Sequence, residues 1–172
     1  MKVQHTSHPD FNKNDYERDG AIRLAEKFKE RDSKKSPGAG VILLQYRNNE
    51  IHVLGLFKNE YFDLPKGRKQ ENESDLECAK RECWEESTIT KIDFFKDVNP
   101  IKLKHLTLFL ATTTQDGYVL PNPKTSELEH EYARWLPIKS AAFYVTPYLR
   151  PAIIWAREVI EDFNLYEDIK RC

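Results

Sequence analysis

The sequence has no long hydrophobic run. Its longest apolar stretches, Gly40 to Leu44 and Leu106 to Ala111, fall far short of the roughly 20 residues a membrane-spanning helix needs. The start of the chain, with its Lys, His and Asp residues, lacks a signal-peptide core. No membrane association is expected, and the cytoplasm or nucleus is the expected compartment. Cysteine is scarce: there are three, an odd number, and Cys78 and Cys83 stand at a spacing that matches no CxxC metal or redox pair and suits a disulfide poorly. Both are expected to be small helix-packing residues in a reducing compartment. Neither sign of charge is in excess, with 27 Lys and Arg against 28 Asp and Glu. Bulk attraction to nucleic acid or an acidic bilayer is therefore absent, and any polyanion must be recognised locally. Internal repeats and low-complexity tracts are missing as well, which removes the solenoid and disordered classes.

What is present fits one ordinary domain. At 172 residues the chain can bury a continuous core without staples. Residues 1–35 read as an N-terminal helical extension, because Ala21, Ile22, Leu24, Ala25 and Phe28 recur at near-helical spacing within the charged stretch Asp15 to Lys34. The main domain is expected over 36–172. After Ser36-Pro37-Gly38, two β-rich runs, Ala39 to Tyr46 and Ile51 to Phe57, are expected to form a hairpin across Arg47-Asn48-Asn49-Glu50. A short aromatic strand near Tyr61 to Leu64 follows, then the turn Pro65-Lys66-Gly67. Ser74 reads as the N-cap of a helix that runs to about Ser87, with Asp75 and Glu77 in its first turn. Further strands are expected within Ile89 to Val98 and Ile101 to Thr114, and another at Arg134 to Leu136. A closing helix is expected over Pro151 to Phe163. This order of elements implies an α/β fold with a mixed sheet between helices.

The chemistry concentrates on the central helix. At about 3.6 residues per turn, Glu82, Glu85 and Glu86 fall within an arc of roughly 100 degrees. Three like charges on one face weaken a helix, so a cation is expected there. Hard divalent ions such as Mg²⁺, with Mn²⁺ as the alternative, take carboxylate oxygens and share them with substrate phosphates. Leu76, Ala79 and Cys83 lie to one side of the acidic face and are expected to pack the helix on the sheet, which would hold the carboxylates rigidly. A solvated acidic face is the competing explanation for any single pair of glutamates.

The wider pattern goes further. Gly67, Glu73, Arg81, Glu82, Glu85, Glu86 and Ile89 resemble the Nudix box, G-x5-E-x7-R-E-U-x-E-E-x-G-U with U apolar. Six fixed identities would coincide by chance in about one register in ten million at ordinary residue usage, which decides against the solvated face. Cys83 stands at an apolar position of the pattern, and Thr88 stands where the family has a glycine. Glycine there supplies a left-handed helix end, so Thr88 implies a different helix ending.

The resemblance implies an α/β/α sandwich and a pyrophosphohydrolase that attacks phosphorus with an activated water. It implies Glu82, Glu85 and Glu86 as metal ligands with the Gly67 carbonyl, and Arg81 with Glu73 as the groups orienting them. Glu129 to Leu136 resembles the Glu-His segment before a Trp-Leu strand in dinucleoside tetraphosphate hydrolases. Glu129 is accordingly the first candidate for the further ligand or base, ahead of Glu131 and Glu127, and Glu85 and Arg81 complete the expected catalytic set. Pro65-Lys66-Gly67 recurs in dinucleoside polyphosphate and cap-hydrolysing members, which marks Lys66, with Arg68, for substrate phosphates. Phe62 and Tyr132, with Tyr61, Tyr144 and Tyr148, are candidate platforms for a nucleobase. The implied substrate is a phosphorylated small molecule, foremost a dinucleoside polyphosphate such as diadenosine tetraphosphate. Diphosphoinositol polyphosphates and an RNA cap are the alternatives. A catalytically silent binding module on the same fold, or a protein that assembles through its N-terminal helix, would be the non-enzymatic readings.

Overall fold

The computed structural model describes residues 37–172. The helix expected over 15–34 lies outside the described residues. Strands β1 (Gly38–Arg47) and β2 (Glu50–Lys58) form the expected antiparallel hairpin. Asn48 and Asn49 turn it with φ of 49° and 65°, a left-handed pair that asparagine tolerates and that matches the twist of the flanking strands. Strand β3 (Tyr61–Asp63) then pairs with β2, and β4 (Lys66–Arg68) returns to the start of β1. The sheet is completed by β5 (Asp93–Phe94), β6 (Ile101–Leu103), β7 (Leu106–Thr112) and β8 (Tyr132–Pro137). Its order is β3-β2-β1-β7-β5, with β6 antiparallel on β7 and β8 antiparallel on β2.

The pairing of β1 with β7 is parallel, and it makes the sheet mixed. It also places β1 in the interior, where burial is continuous from Gly38 to Leu44. That is why this stretch is an unbroken apolar run rather than an alternating one. Alternate residues still serve different cores. Ala39, Val41 and Leu43 face helix α1 (Asp75–Ser87) through Cys78, Ala79 and Cys83. Ile42 and Leu44, with Leu108 and Leu110, face the opposite layer. That layer is made of α2 (Ile138–Tyr144), α3 (Arg150–Asp162) and α4 (Tyr166–Arg171). The result is an α/β/α sandwich, and each fully buried Leu or Ile contributes about 1.5–3 kcal/mol.

Several expectations are corrected. Leu76 is partly exposed instead of packed; it sits in the first turn of α1, and Cys78 takes its place on the sheet. Helix α3 is the expected closing helix but is not the last, since α4 follows and α2 precedes it. Both are short and lack a side-chain cap, so they left little sequence signal. Thr88 does not give a new kind of helix ending: it adopts the left-handed conformation itself, at φ 64° and ψ 1°. Its N–H donates to the Trp84 carbonyl, and the next residues hold it there. Tyr118 N–H donates to Ser87 O at 2.8 Å. Thr90 and Lys91 N–H groups both donate to Gln115 Oε1 at 2.8 Å, while Ile89 is fully buried. These contacts offset the roughly 1–2 kcal/mol that the conformation costs. All three cysteines are free, and burial pushes the Cys78 and Cys83 thiols up to about 11 and about 12. Among the described residues no helix is long and apolar enough to cross a membrane.

Candidate active site

The site begins where β4 meets α1. Ser74 caps α1 by accepting from Glu77 N–H at 3.1 Å while the Glu77 carboxylate accepts from Ser74 N–H at 2.8 Å. This reciprocal pair sets the phase of the helix. With Ala79 and Cys83 on the sheet, Glu82, Glu85 and Glu86 are turned toward β4. Gly67 leaves room there, because a Cβ on it would overlap the Glu82 carboxylate, which would have to move. Gly40, on the neighbouring strand, meets a firmer limit, since a Cβ on it would strike the Pro65 carbonyl and the Lys66 backbone.

Arg81 organises the acids. Its Nε donates to Glu73 Oε1 at 2.7 Å, and its Nη1 donates to Glu82 Oε1 at 2.6 Å and Glu85 Oε2 at 3.1 Å. Its Nη2 donates to the Arg68 carbonyl at 2.8 Å and to Glu73 Oε2 at 3.1 Å. The guanidinium fork thus spans the loop and the helix, which a point charge could not do. The hydrogen bond from Arg81 pulls the Glu73 carboxyl down to about 2, with help from Gln70 N–H.

Glu82 and Glu86 respond in the opposite direction. Burial raises the Glu82 carboxyl above its usual range. Burial also pushes Glu86 up to about 9, although Lys66 N–H donates to its Oε2 at 2.9 Å. Charge on these carboxylates is under-compensated by the surrounding side chains. A hard divalent cation would supply what is missing, and the oxygen-rich donor set fits one.

The far wall comes from the loop joining β7 to β8, residues 113–131. Ligand atoms of Glu86, Glu129 and His130 lie within 4.8 Å of one another. Asn122 Nδ2 donates to Glu129 Oε1 at 3.1 Å, and Val119 and Leu120 line the cleft beside Glu85 and Glu86. His130 Nε2 stands 3.8 Å from Asp63 Oδ2.

The fold therefore gathers Gly67, Glu73, Arg81, Glu82, Glu85, Glu86 and Glu129 in one place. Glu127 and Glu131 stay exposed on the loop. Lys66 is not an open cation: its Nζ donates to Asp63 Oδ2 at 2.6 Å and is largely buried. Burial works against its charge, but Asp63 more than compensates and holds its pKa above the usual lysine range. Arg68 has an exposed side chain, and its carbonyl is what reaches Arg81. Phe62 is a correction. It is fully buried beneath Gly55 and against Phe57, because the inward face of β3 closes the core, so it presents no ring to a ligand. Tyr132 is exposed and stacks on Phe57 with ring centroids 4.8 Å apart. Tyr61, Tyr144 and Tyr148 are exposed too, and the Lys66 ammonium lies 6.0 Å from the Tyr148 ring. Asp63, Asn122 and Lys124 were not singled out from the sequence. Each is a common polar residue beside a turn or in a loop, with no spacing to set it apart.

A glutamate-lined cleft at one edge of an α/β/α sandwich, held by an arginine fork, defines a metal-assisted phosphate-processing class. The family model for the NUDIX domain matches residues 31–163, and the chain belongs to that family. It is a Nudix pyrophosphohydrolase, of a family whose members generally use divalent metals. Among solved structures, a C. elegans Ap4A hydrolase binary complex is 18% identical, with 74% of this chain and 99% of that chain covered at a TM-score of 0.59. The M. smegmatis Nudix hydrolase RenU is 16% identical over 74% of this chain and 87% of its own, at 0.56. The NUDIX domain of Shewanella oneidensis NrtR, crystallised with ADP ribose, is 16% identical over 74% and 90%, at 0.53. At these identities the likeness establishes the fold. No curated protein matches the sequence.

Proposed function

We propose that the protein hydrolyses a dinucleoside polyphosphate, with diadenosine tetraphosphate the leading substrate and Mg²⁺ the working ion. Mn²⁺ would serve in its place. The observation that carries this reading is the approach of Glu129 to Glu86. The segment from Glu129 to Leu136, like Pro65-Lys66-Gly67, resembles its counterpart in hydrolases of that substrate class. Glu82, Glu85 and Glu86 would hold the ion, with the Gly67 carbonyl beside them. When bound, the ion supplies a water of lowered pKa and neutralises charge on the leaving phosphate.

The remaining work falls to the chain itself. Arg81 keeps Glu82 and Glu85 in place through bonds of 2.6 and 3.1 Å. Glu129, steered by the Asn122 amide, accepts the proton of the attacking water. Arg68 meets substrate phosphate from the rim, and the exposed ring of Tyr132 offers a face to one base. Lys66 holds the turn whose N–H fixes Glu86. Buried reduced thiols suit a cytoplasmic or nuclear setting.

The test is incubation of purified protein and Mg²⁺ with diadenosine tetraphosphate, capped RNA, a diphosphoinositol polyphosphate, nucleotide sugars and ADP-ribose. A Glu85→Gln control runs beside it. Release of ATP and AMP from the tetraphosphate, lost in the control, is the expected result. Faster turnover of another member would replace the substrate assignment.

A further inference from the structure

We propose that Lys124, which pairs with Glu85, is a phosphate-binding residue of the active site that passes to the substrate when the acidic face takes up a cation. The inference rests on the reading that Glu82, Glu85 and Glu86 hold that cation. Lys124 Nζ lies 3.2 Å from Glu85 Oε1, the carboxylate oxygen opposite the one that Arg81 engages. The two partners differ in exposure: the Lys124 side chain is 56% exposed and that of Glu85 6%. Glu85 is fixed on a packed helix, whereas the lysine reaches in from solvent on a flexible stem.

The root of that stem is anchored. Lys124 N–H donates to Asn122 Oδ1 at 2.9 Å, and the same side chain donates to Glu129. Asn122 N–H in turn donates to Glu127 O at 2.8 Å, and Ser126 N–H donates to Asn122 O at 2.7 Å. The turn therefore keeps the lysine at the mouth of the cleft while its ammonium stays free to swing. A divalent ion and an ammonium cannot share one carboxylate oxygen without strong repulsion. A displaced ammonium tethered at this mouth meets the densest negative charge there, which is the polyphosphate. Lys66 cannot serve in the same way, because Asp63 already neutralises it at 2.6 Å and its side chain is 16% exposed.

The proposal requires two effects of opposite sign from one substitution. Lys124→Met removes a competitor for Glu85, so Mn²⁺ should bind the metal-free protein about threefold more tightly by calorimetry. It also removes a charged contact to substrate, so KM should rise about tenfold. Lys124→Arg should bring KM back toward the parent value. An unchanged Mn²⁺ affinity, or an unchanged KM, would overturn the proposal, as would a variant that binds metal and substrate both more weakly. If the parent protein itself binds no Mn²⁺ and hydrolyses nothing, the acidic-face reading has failed first, and the role of Lys124 falls with it.

Discussion

Glu86 sits in a position that weakens the metal-free protein, and the size of the effect follows from its surroundings. Burial raises its carboxyl from an ordinary 4.5 to about 9. Between those values the folded chain holds a proton that the unfolded chain releases, so stability falls as pH rises through this window and levels off above about 9. At pH 8 the solution stands roughly 3.5 pH units above the ordinary value, at about 1.4 kcal/mol each, a ceiling of about 5 kcal/mol. Local relaxation and water entry remove roughly half of that. Glu86→Gln keeps an acceptor for Lys66 N–H and never ionises. In EDTA-treated protein it should therefore gain about 2 kcal/mol at pH 8, or about 4–8 °C in Tm for a domain of this size. At pH 5 the two proteins should melt within a degree or two of each other. Added Mg²⁺ should raise the Tm of the parent at pH 8 and leave the variant nearly unmoved, while the variant loses turnover. The assay is thermal melting at both pH values with and without metal. A difference in Tm of equal size at pH 5 and pH 8 would refute the reasoning, since it would show that ionisation of Glu86 is not what limits stability.

Gly67→Ala places a methyl group against the Glu82 carboxylate; the strain should lower stability by about 1–3 kcal/mol, and kcat should fall about 100-fold as the carboxylate shifts. Melting curves beside steady-state rates check both, and full activity in this variant would show that the Glu82 carboxylate moves aside for a Cβ without cost. Thr88→Gly should raise stability by about 0.5–1 kcal/mol, the left-handed strain at φ 64° being relieved with some of the gain returned as chain entropy; urea unfolding measures it, with turnover unchanged. Glu129→Gln should cut kcat by about 100-fold or more with Tm preserved, because Glu129 is exposed and its hydrogen bond from Asn122 remains available to an amide. Loss of Tm with intact kcat would make it a structural residue instead.

Features under local control were legible in the amino-acid order. The Asn48-Asn49 hairpin, the Ser74 cap and the acidic face of α1 depend on residues within a few positions of one another, where helix period, strand alternation and capping chemistry leave one good solution. The box from Gly67 to Ile89 is a contiguous motif, so its acidic face could be read before any fold was known. Long-range packing supplied the rest. The parallel pairing of β1 with β7 depends on a crossover through α1, and no local pattern states it. That pairing brings the loop after β7 over the helix, which is how Glu129, Asn122 and Lys124 come to face Glu85 and Glu86. The burial of Phe62, the neutralisation of Lys66 by Asp63 and the left-handed conformation of Thr88 are also consequences of packing. For Phe62 and Thr88 contacts between distant segments decide, at Thr88 against a local preference of about 1–2 kcal/mol; Asp63 is only three residues from Lys66, and it is the burial of the pair that the sequence does not state.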